Sequence, residues 1–568
     1  MKRSSSAAWL SGAWFALALA ALVTPVSGMA ATQEDSLAEV QRTELFLLRA
    51  LVEQHVITME KARDMLHKAG INPDLLQGSQ IPEAPFTAIA PAAAPGTQAA
   101  PANQAPLIRD AEKHEILEEV RQEVRAQSAA EGRANLSTLP PWVRRIDLSG
   151  DIRLRYLRND FASDNQLTEQ IDTWYQLPFG TTLDSLDSHE HYQLRARLNA
   201  NVKINDEVRA GMRLVTAGGN DSTASPVYYD VELGRYGRPF SAGISLAYLA
   251  WTPAPVLDVY GGRMPNPYFK SDLIFAPELS LDGVAASYSF GLGEGLGVFG
   301  NLGAHPLQTS QEGAFNTAAE QWLYAAQLGA SWRSADESTL RAAIAYYDFA
   351  GIQGKADPAN PANNTLNDAS APLFRQFGNT MFDIHYQVIN NLSTPIAPLY
   401  GYAAQFRLMN LGAEYEYARF DPIHIGVQLD WVRNIGFNPT EIRQRLGTAV
   451  GSLPYTLGPN GTQVNALNHA QTNGYLVGVR IGAEELRRYG DWQLFGGVRY
   501  LQRDAVPDAF TSPDYRLGGT DNQAGYLGAN FGLSSAVSLT VRYITARSIN
   551  STPHFGVDTW YLDLNGHF

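Results

Sequence analysis

From Trp142 to Phe568 the apolar residues of this chain recur at every second position, in short runs whose polar partners are often arginine. Ile146, Leu148, Ile152, Leu154 and Tyr156 alternate with Asp147, Ser149, Asp151, Arg153 and Arg155. Tyr192, Leu194, Ala196, Leu198, Val202 and Ile204 alternate with Gln193, Arg195, Arg197, Asn199, Asn201 and Lys203. The same pattern returns at Tyr475 to Gly482 and at Val537 to Tyr543. A period of two puts successive side chains on opposite faces of a strand. Such a strand has one face against a nonpolar medium and the other against a polar one. Two architectures satisfy that demand: a soluble sandwich, apolar inward, or a membrane barrel, apolar outward with a wet lumen. Alternation alone does not separate them.

The connections do. The strands run near 145–158, 190–205, 207–217, 242–253, 256–264, 280–290, 296–306, 320–333, 337–350, 403–418, 422–436, 472–485, 489–503, 523–533, 536–549 and 556–568. Between them, turns such as Asn205-Asp206, Phe420-Asp421 and Ser534-Ser535 alternate with long segments such as 160–188, 351–400 and 436–472. Short turns on one side and long loops on the other are the habit of outer-membrane barrels. The expectation is an all-β, antiparallel, up-and-down transmembrane barrel of about sixteen strands, an even number that returns both ends to the periplasm.

Two local features support a lipid-facing surface. One face of the stretch from Trp322 to Trp332 carries Trp322, Tyr324, Ala326, Leu328, Ala330 and Trp332. Ten residues at about 3.3 Å, tilted about 40°, project onto roughly 25 Å, the height between two aromatic girdles. The final segment sets Trp560, Leu562, Leu564 and the terminal Phe568 against Thr559, Asp563, Asn565 and His567, as a barrel-closing strand would. Mean hydropathy of −0.20 is no objection, since half of each barrel strand faces water. A formal charge of −14 argues against a general nucleic-acid binder, and the absence of cysteine suits an exported chain without disulfides.

The first 141 residues differ. Lys2 and Arg3 precede an apolar run from Ala7 to Val23, with small residues for cleavage near Ala30, so residues 1–30 read as a secretory signal. Residues 31–77 carry Leu37, Val40, Leu47, Leu48 and Leu51 at helical spacing and are expected in the periplasm. A Pro/Ala-rich linker spans 78–106, and 107–141 holds a charged amphipathic helix around Ile116, Leu117, Val120 and Val124. Its role is open between oligomerisation or tethering and plain solvation, because sustained heptads are missing.

Catalytic constellations are poor. His189-Glu190-His191 offers two ligands on one strand face and no third, which fits a loop–strand junction better than a metal centre. Gly291 to Gly295 lacks the lysine and hydroxyl of a phosphate loop, and no Gly-x-Ser-x-Gly elbow occurs. No enzyme and no cofactor are expected.

Gly150 to Tyr156, Arg195 to Leu198, Tyr260 to Tyr268, Asp272-Leu273 and the terminal Phe568, in that order, resemble the putative porin family of Gram-negative outer membranes. Gly566 departs from the pattern, which usually sets a larger residue two places before the end. The resemblance implies passive diffusion of small hydrophilic solutes through the lumen, with selectivity set by charges at a constriction. A substrate-selective, anion-preferring channel is the alternative, and a barrel-borne hydrolase or adhesin a third class. Lumen-facing Arg153, Arg155, Arg195, Arg197, Lys203, Arg209 and Arg213 fall on the first three strands and are expected as one basic wall, unless carboxylates such as Asp147 and Asp151 neutralise them. Glu414, Glu416, Asp430 and Glu484 are expected opposite. By resemblance the third loop, from about Arg263 to Leu279, folds inward and presents Lys270 and Asp272 to the solute path. Expected partners are outer-membrane lipid and lipopolysaccharide, the barrel-insertion machinery through the last strand, and a homotrimer by analogy with sixteen-stranded porins.

Overall fold

The computed structural model describes residues 145–165, 186–217, 226–234, 236–269, 271–309, 320–359, 366–389, 397–453, 455–457 and 463–549, and 554–568. The signal, helical, linker and amphipathic segments expected before residue 142 lie outside the described residues.

Sixteen antiparallel strands close on themselves. In chain order they are β1 Ile146–Phe161, β2 His189–Lys203, β3 Val208–Ala217, β4 Ser241–Ala254, β5 Leu257–Pro265, β6 Ser280–Gly293, β7 Leu296–Gln308 and β8 Gln321–Arg333. The second half comprises β9 Thr339–Ala350, β10 Phe406–Phe420, β11 Ile423–Asn434, β12 Asn473–Gly482, β13 Trp492–Leu501, β14 Asn522–Gly532, β15 Val537–Ser548 and β16 Gly556–His567. Each pairs with its sequence neighbour, and β1 pairs with β16 in a register that sets Leu154 opposite Leu564. Closure leaves no open edge, which is the condition for sheet to exist in hydrocarbon. Among the described residues no helix is long and apolar enough to cross a membrane.

The orientation of the pleat decides between the two architectures. Leu148, Leu198, Leu302, Leu328, Val479 and Leu527 point outward from the single closed sheet, 41–66% exposed. Leaving such a side chain in water forfeits about 1.5–3 kcal/mol. Nearly every strand carries some, so an aqueous exterior would cost more than the ~5–15 kcal/mol that holds a domain together. The medium outside is hydrocarbon. Trp322 stacks on Tyr324 near one rim, while Trp332, 43% exposed, stands at the other.

Apolar residues also pack inside, at the long-loop end. Inward-facing Leu323, Tyr347, Phe349, Phe406, Leu408, Val432, Leu476 and Leu501 occupy the long-loop ends of β8 to β13. Against them lie Leu273, Ile274 and Phe275 of loop 266–279, Met381, Phe382 and Ile384 of loop 351–405, Leu446 of the helix Pro439–Leu446, and Ala505 and Val506 of loop 502–521. A second, smaller apolar cluster of Leu157, Tyr515, Ala524, Ile544, Ala546 and Tyr561 packs beside β1 and β14 to β16, so dry packing narrows the long-loop end from two sides, the larger part of it along β8 to β13.

Candidate pore constriction

Loop 266–279 lies inside the barrel and is fastened at both ends of its crossing. At one end Ser271 Oγ donates to Asp430 on β11, and the Phe269 amide donates to Gln327 Oε1 on β8 at 3.1 Å. Tyr268 shares a 2.9 Å hydrogen bond with His305 on β7. At the other end Glu278 meets β2, where it accepts from Arg195 and, at 2.7 Å, from Arg197. Loop 502–521 folds in beneath it: Ala276 N donates to Phe510 O at 2.7 Å, Thr511 Oγ1 to Leu273 O at 2.9 Å, and Tyr515 OH to Asp272 at 3.1 Å.

The arginines on the early strands do face inward, but most are neutralised. Arg155 holds Asp563 of β16 in a two-pronged bond of 2.7 and 2.8 Å, both side chains being buried. Arg153 holds Asp230 in the loop after β3. Arg195 and Arg197 share Asp151 of β1 and Glu278. On β15, Arg542 pairs with Asp514. Five guanidiniums thus meet five carboxylates, Asp230, Asp563, Asp151, Glu278 and Asp514, and these ten groups together carry no formal net charge. Burying so many cations without partners would be prohibitive, which is why each has one.

The remaining candidates separate. Lys203 pairs with Asp206 of the adjoining turn at 2.9 Å and Arg209 with Asp258 at 3.2 Å, both near the short-turn rim. Arg213 donates to Asn199 at 2.7 Å and makes no ion pair among the described residues. Arg263 is clamped to Asp282 at 2.6 and 2.8 Å. Lys270 lies outside the described residues. Asp272 is half-buried, and burial together with the nearby Asp514 pushes its carboxyl up from the usual range. Asp514 responds the other way: burial would raise it, but Arg542 and Arg155 hold it down at about 2.

The expected acidic side is dispersed. Glu416 is bound by Arg480 at 2.7 Å, and Asp430 is buried under Ser271 and Asn410, so neither faces solute as a free charge. Glu484 falls beyond the end of β12, in the turn 483–491, where its carbonyl accepts from Arg480 and Gln493. For Glu416 and Asp430 the physical reason is the same, that a buried or wall-embedded carboxylate is retained only with donors around it, whereas Glu484 is exposed because the strand ends at Gly482. Glu414 remains, half-buried, 3.4 Å from Gln428 and directly across the ladder from Arg341. Arg341, which the sequence reading passed over, lies 5.8 Å over Phe269 and 5.1 Å over Phe299 and makes no ion pair among the described residues. Its signal was an arginine at an inward parity position on β9. Asp230, Glu278 and Asp514 gave none, because loop residues follow no period.

At the long-loop end a cavity of about 620 Å³ opens between loops, bounded by Tyr228, Tyr229, Asp230, Arg263, Asp282, Phe374 and Phe510. The closing strand turns Trp560 and Leu564 outward, 46% and 39% exposed, with Leu562 half-buried between them. Phe568 and Gly150 exchange two backbone hydrogen bonds of 3.0 Å, which seal the seam.

No curated protein matches the sequence. Among solved structures, the outer-membrane channel DcaP of Acinetobacter baumannii is similar at 12% identity, over 74% of this chain and 97% of that one, with a TM-score of 0.37. OprB of Pseudomonas putida is similar at 11% identity, over 78% and 97%, with a TM-score of 0.40. OmpF of Salmonella typhi, in complex with daunomycin, is similar at 11% identity, over 74% and 97%, with a TM-score of 0.36. Likenesses this slight carry no functional argument. The family described as putative porin matches residues 41–568, all of the chain but its first forty residues, and the protein belongs to that family.

Proposed function

We propose that the protein is an outer-membrane porin through which small hydrophilic solutes diffuse passively. The observation that carries this reading is one closed sheet, greasy outside, whose interior is lined by ion pairs and narrowed by an inward-folded loop anchored on β2 and β11. Incorporation of the refolded protein into planar bilayers should give stepwise conductance increments. Shortening loop 266–279 between Tyr268 and Glu278 should enlarge each step. Bilayers that stay silent, or steps indifferent to that loop, count against the reading.

A preference for anions is the finer reading, supported by Arg213 and Arg341, two inward cations that make no ion pair among the described residues and that, unlike Arg499, are not fully buried. Under a salt gradient the zero-current potential should then carry the sign of anion selectivity, and Arg341→Ala should move it toward zero. Cleavage of residues 1–30, a periplasmic location for the segment that follows, and assembly as a homotrimer complete the proposal. Mass spectrometry of the mature protein and its size in detergent test these three.

A further inference from the structure

Three side chains of the long loop 351–405 converge on one point: Asp357, Asp368 and His385 each bring a ligand atom within 4.8 Å of the other two. His385 is fixed by its other nitrogen, since Nδ1 lies 2.9 Å from the Ala397 carbonyl, which only accepts, so Nδ1 is the protonated one. Nε2 of a neutral ring is then a lone pair, and it faces Asp368 Oδ1 at 2.8 Å and Asp357 Oδ2 at 3.5 Å.

A proton on Nε2 satisfies one carboxylate. It bonds Asp368 and leaves Asp357 Oδ2, on a side chain with no solvent exposure, accepting no hydrogen bond. The other oxygen of Asp357 is already engaged by the Asn367 amide at 2.8 Å, so the carboxylate has no freedom to turn away. A buried, unpaired carboxylate oxygen aimed at a lone pair is costly. One divalent cation between the three atoms answers all of them at once.

We propose that Asp357, Asp368 and His385 form a zinc-class site that staples the long loop. One imidazole nitrogen and two carboxylate oxygens favour a first-row transition ion over calcium or magnesium, which take oxygen sets. Ligand distances of about 2.0–2.2 Å require each group to move by about an ångström. The Nδ1 bond to Ala397 supplies the outer support that orients a ligating imidazole. Asp368, 42% exposed, leaves a side open for entry and for a water as fourth ligand. The three residues come from separate stretches, 351–359, 366–370 and 381–389, so the ion would cross-link the loop over the mouth of the barrel.

The test uses the full chain refolded in detergent and zinc chloride as the probe. One equivalent should survive gel filtration, and X-ray absorption at the zinc edge should show one nitrogen-class imidazole with oxygen donors. Asp357→Asn and His385→Gln should each weaken binding at least roughly 100-fold while the heat-modifiable band on gels stays unchanged. Zinc should slow proteolysis of the loop severalfold in the wild type and in neither variant. Because His191 lies 3.3 Å from Glu232 and offers a rival surface site, a His191→Ala control should bind as the wild type does. Wild-type binding by Asp357→Asn, a two-imidazole absorption signature, or no retained zinc overturns the proposal.

Discussion

Glu278 is the residue on which the charge balance of the lining turns, since it alone reaches both Arg195 and Arg197 from the loop side. Glu278→Gln removes one negative charge while keeping the shape. A unit charge about 8 Å from the path in water is worth roughly 0.5 kcal/mol to each ion, with opposite sign for anion and cation, hence about a fivefold change in their permeability ratio. Zero-current potentials across a tenfold salt gradient should shift toward anions accordingly, and an unchanged potential would show that the solute path avoids this wall. The arginines themselves were legible in the sequence, because parity along a strand says which way a side chain points. Their partners were not. Asp230 and Asp514 sit in aperiodic loops, and only the fold brings them to Arg153 and Arg542.

At the scale of elements, the sixteen strands were legible to within three residues at either end, because a two-sided environment writes itself into alternation. The long loops were not. Phe382, Ile384 and Val506 follow no period, and nothing local says that they pack inside the barrel on Tyr347 and Phe406. Two loop carboxylates make this packing pH-dependent with opposite signs. Buried Asp504 accepts from the Thr380 amide at 2.8 Å and its hydroxyl at 2.6 Å, and burial pushes it up to about 6. A raised carboxyl favours the folded loops when protonated, so its contribution, at most about 3 kcal/mol, is present near pH 4 and lost as pH rises through 6. Asp514, held at about 2, contributes above pH 4 and loses that contribution as pH falls toward 2. Amide exchange in 376–385 and 502–510 should therefore be slower at pH 5 than at pH 7.5, after correction for intrinsic rates, and should accelerate again only below about pH 4. Monotonic loosening from pH 7.5 downward would contradict the assignment of Asp504.

The whole molecule depends on a single seam, where the last residue meets the first strand. A Cβ on Gly150 would stand 2.5 Å from the Phe568 ring and 2.7 Å from the Arg197 carbonyl, so the glycine is what admits the terminal aromatic. Gly150→Val should lower the yield of closed barrel severalfold, read as the fraction migrating in the unheated, compact form on gels. Gly566→Val, whose Cβ meets nothing nearer than 4.0 Å, should be tolerated. Equal yields for the two variants would remove the steric account of the seam.

Dry packing at the long-loop ends, most of it along β8 to β13 and the rest beside β1 and β14 to β16, makes the conduit electrically lopsided along its axis. Resistance concentrates where the cross-section is least, so an applied voltage falls chiefly across the outer portion and little across the periplasmic vestibule. Charges there, such as Arg209 and Glu416, should hardly affect the current, whereas equal charges beside Phe269 and Glu278 should govern it and make its magnitude differ with the sign of the voltage.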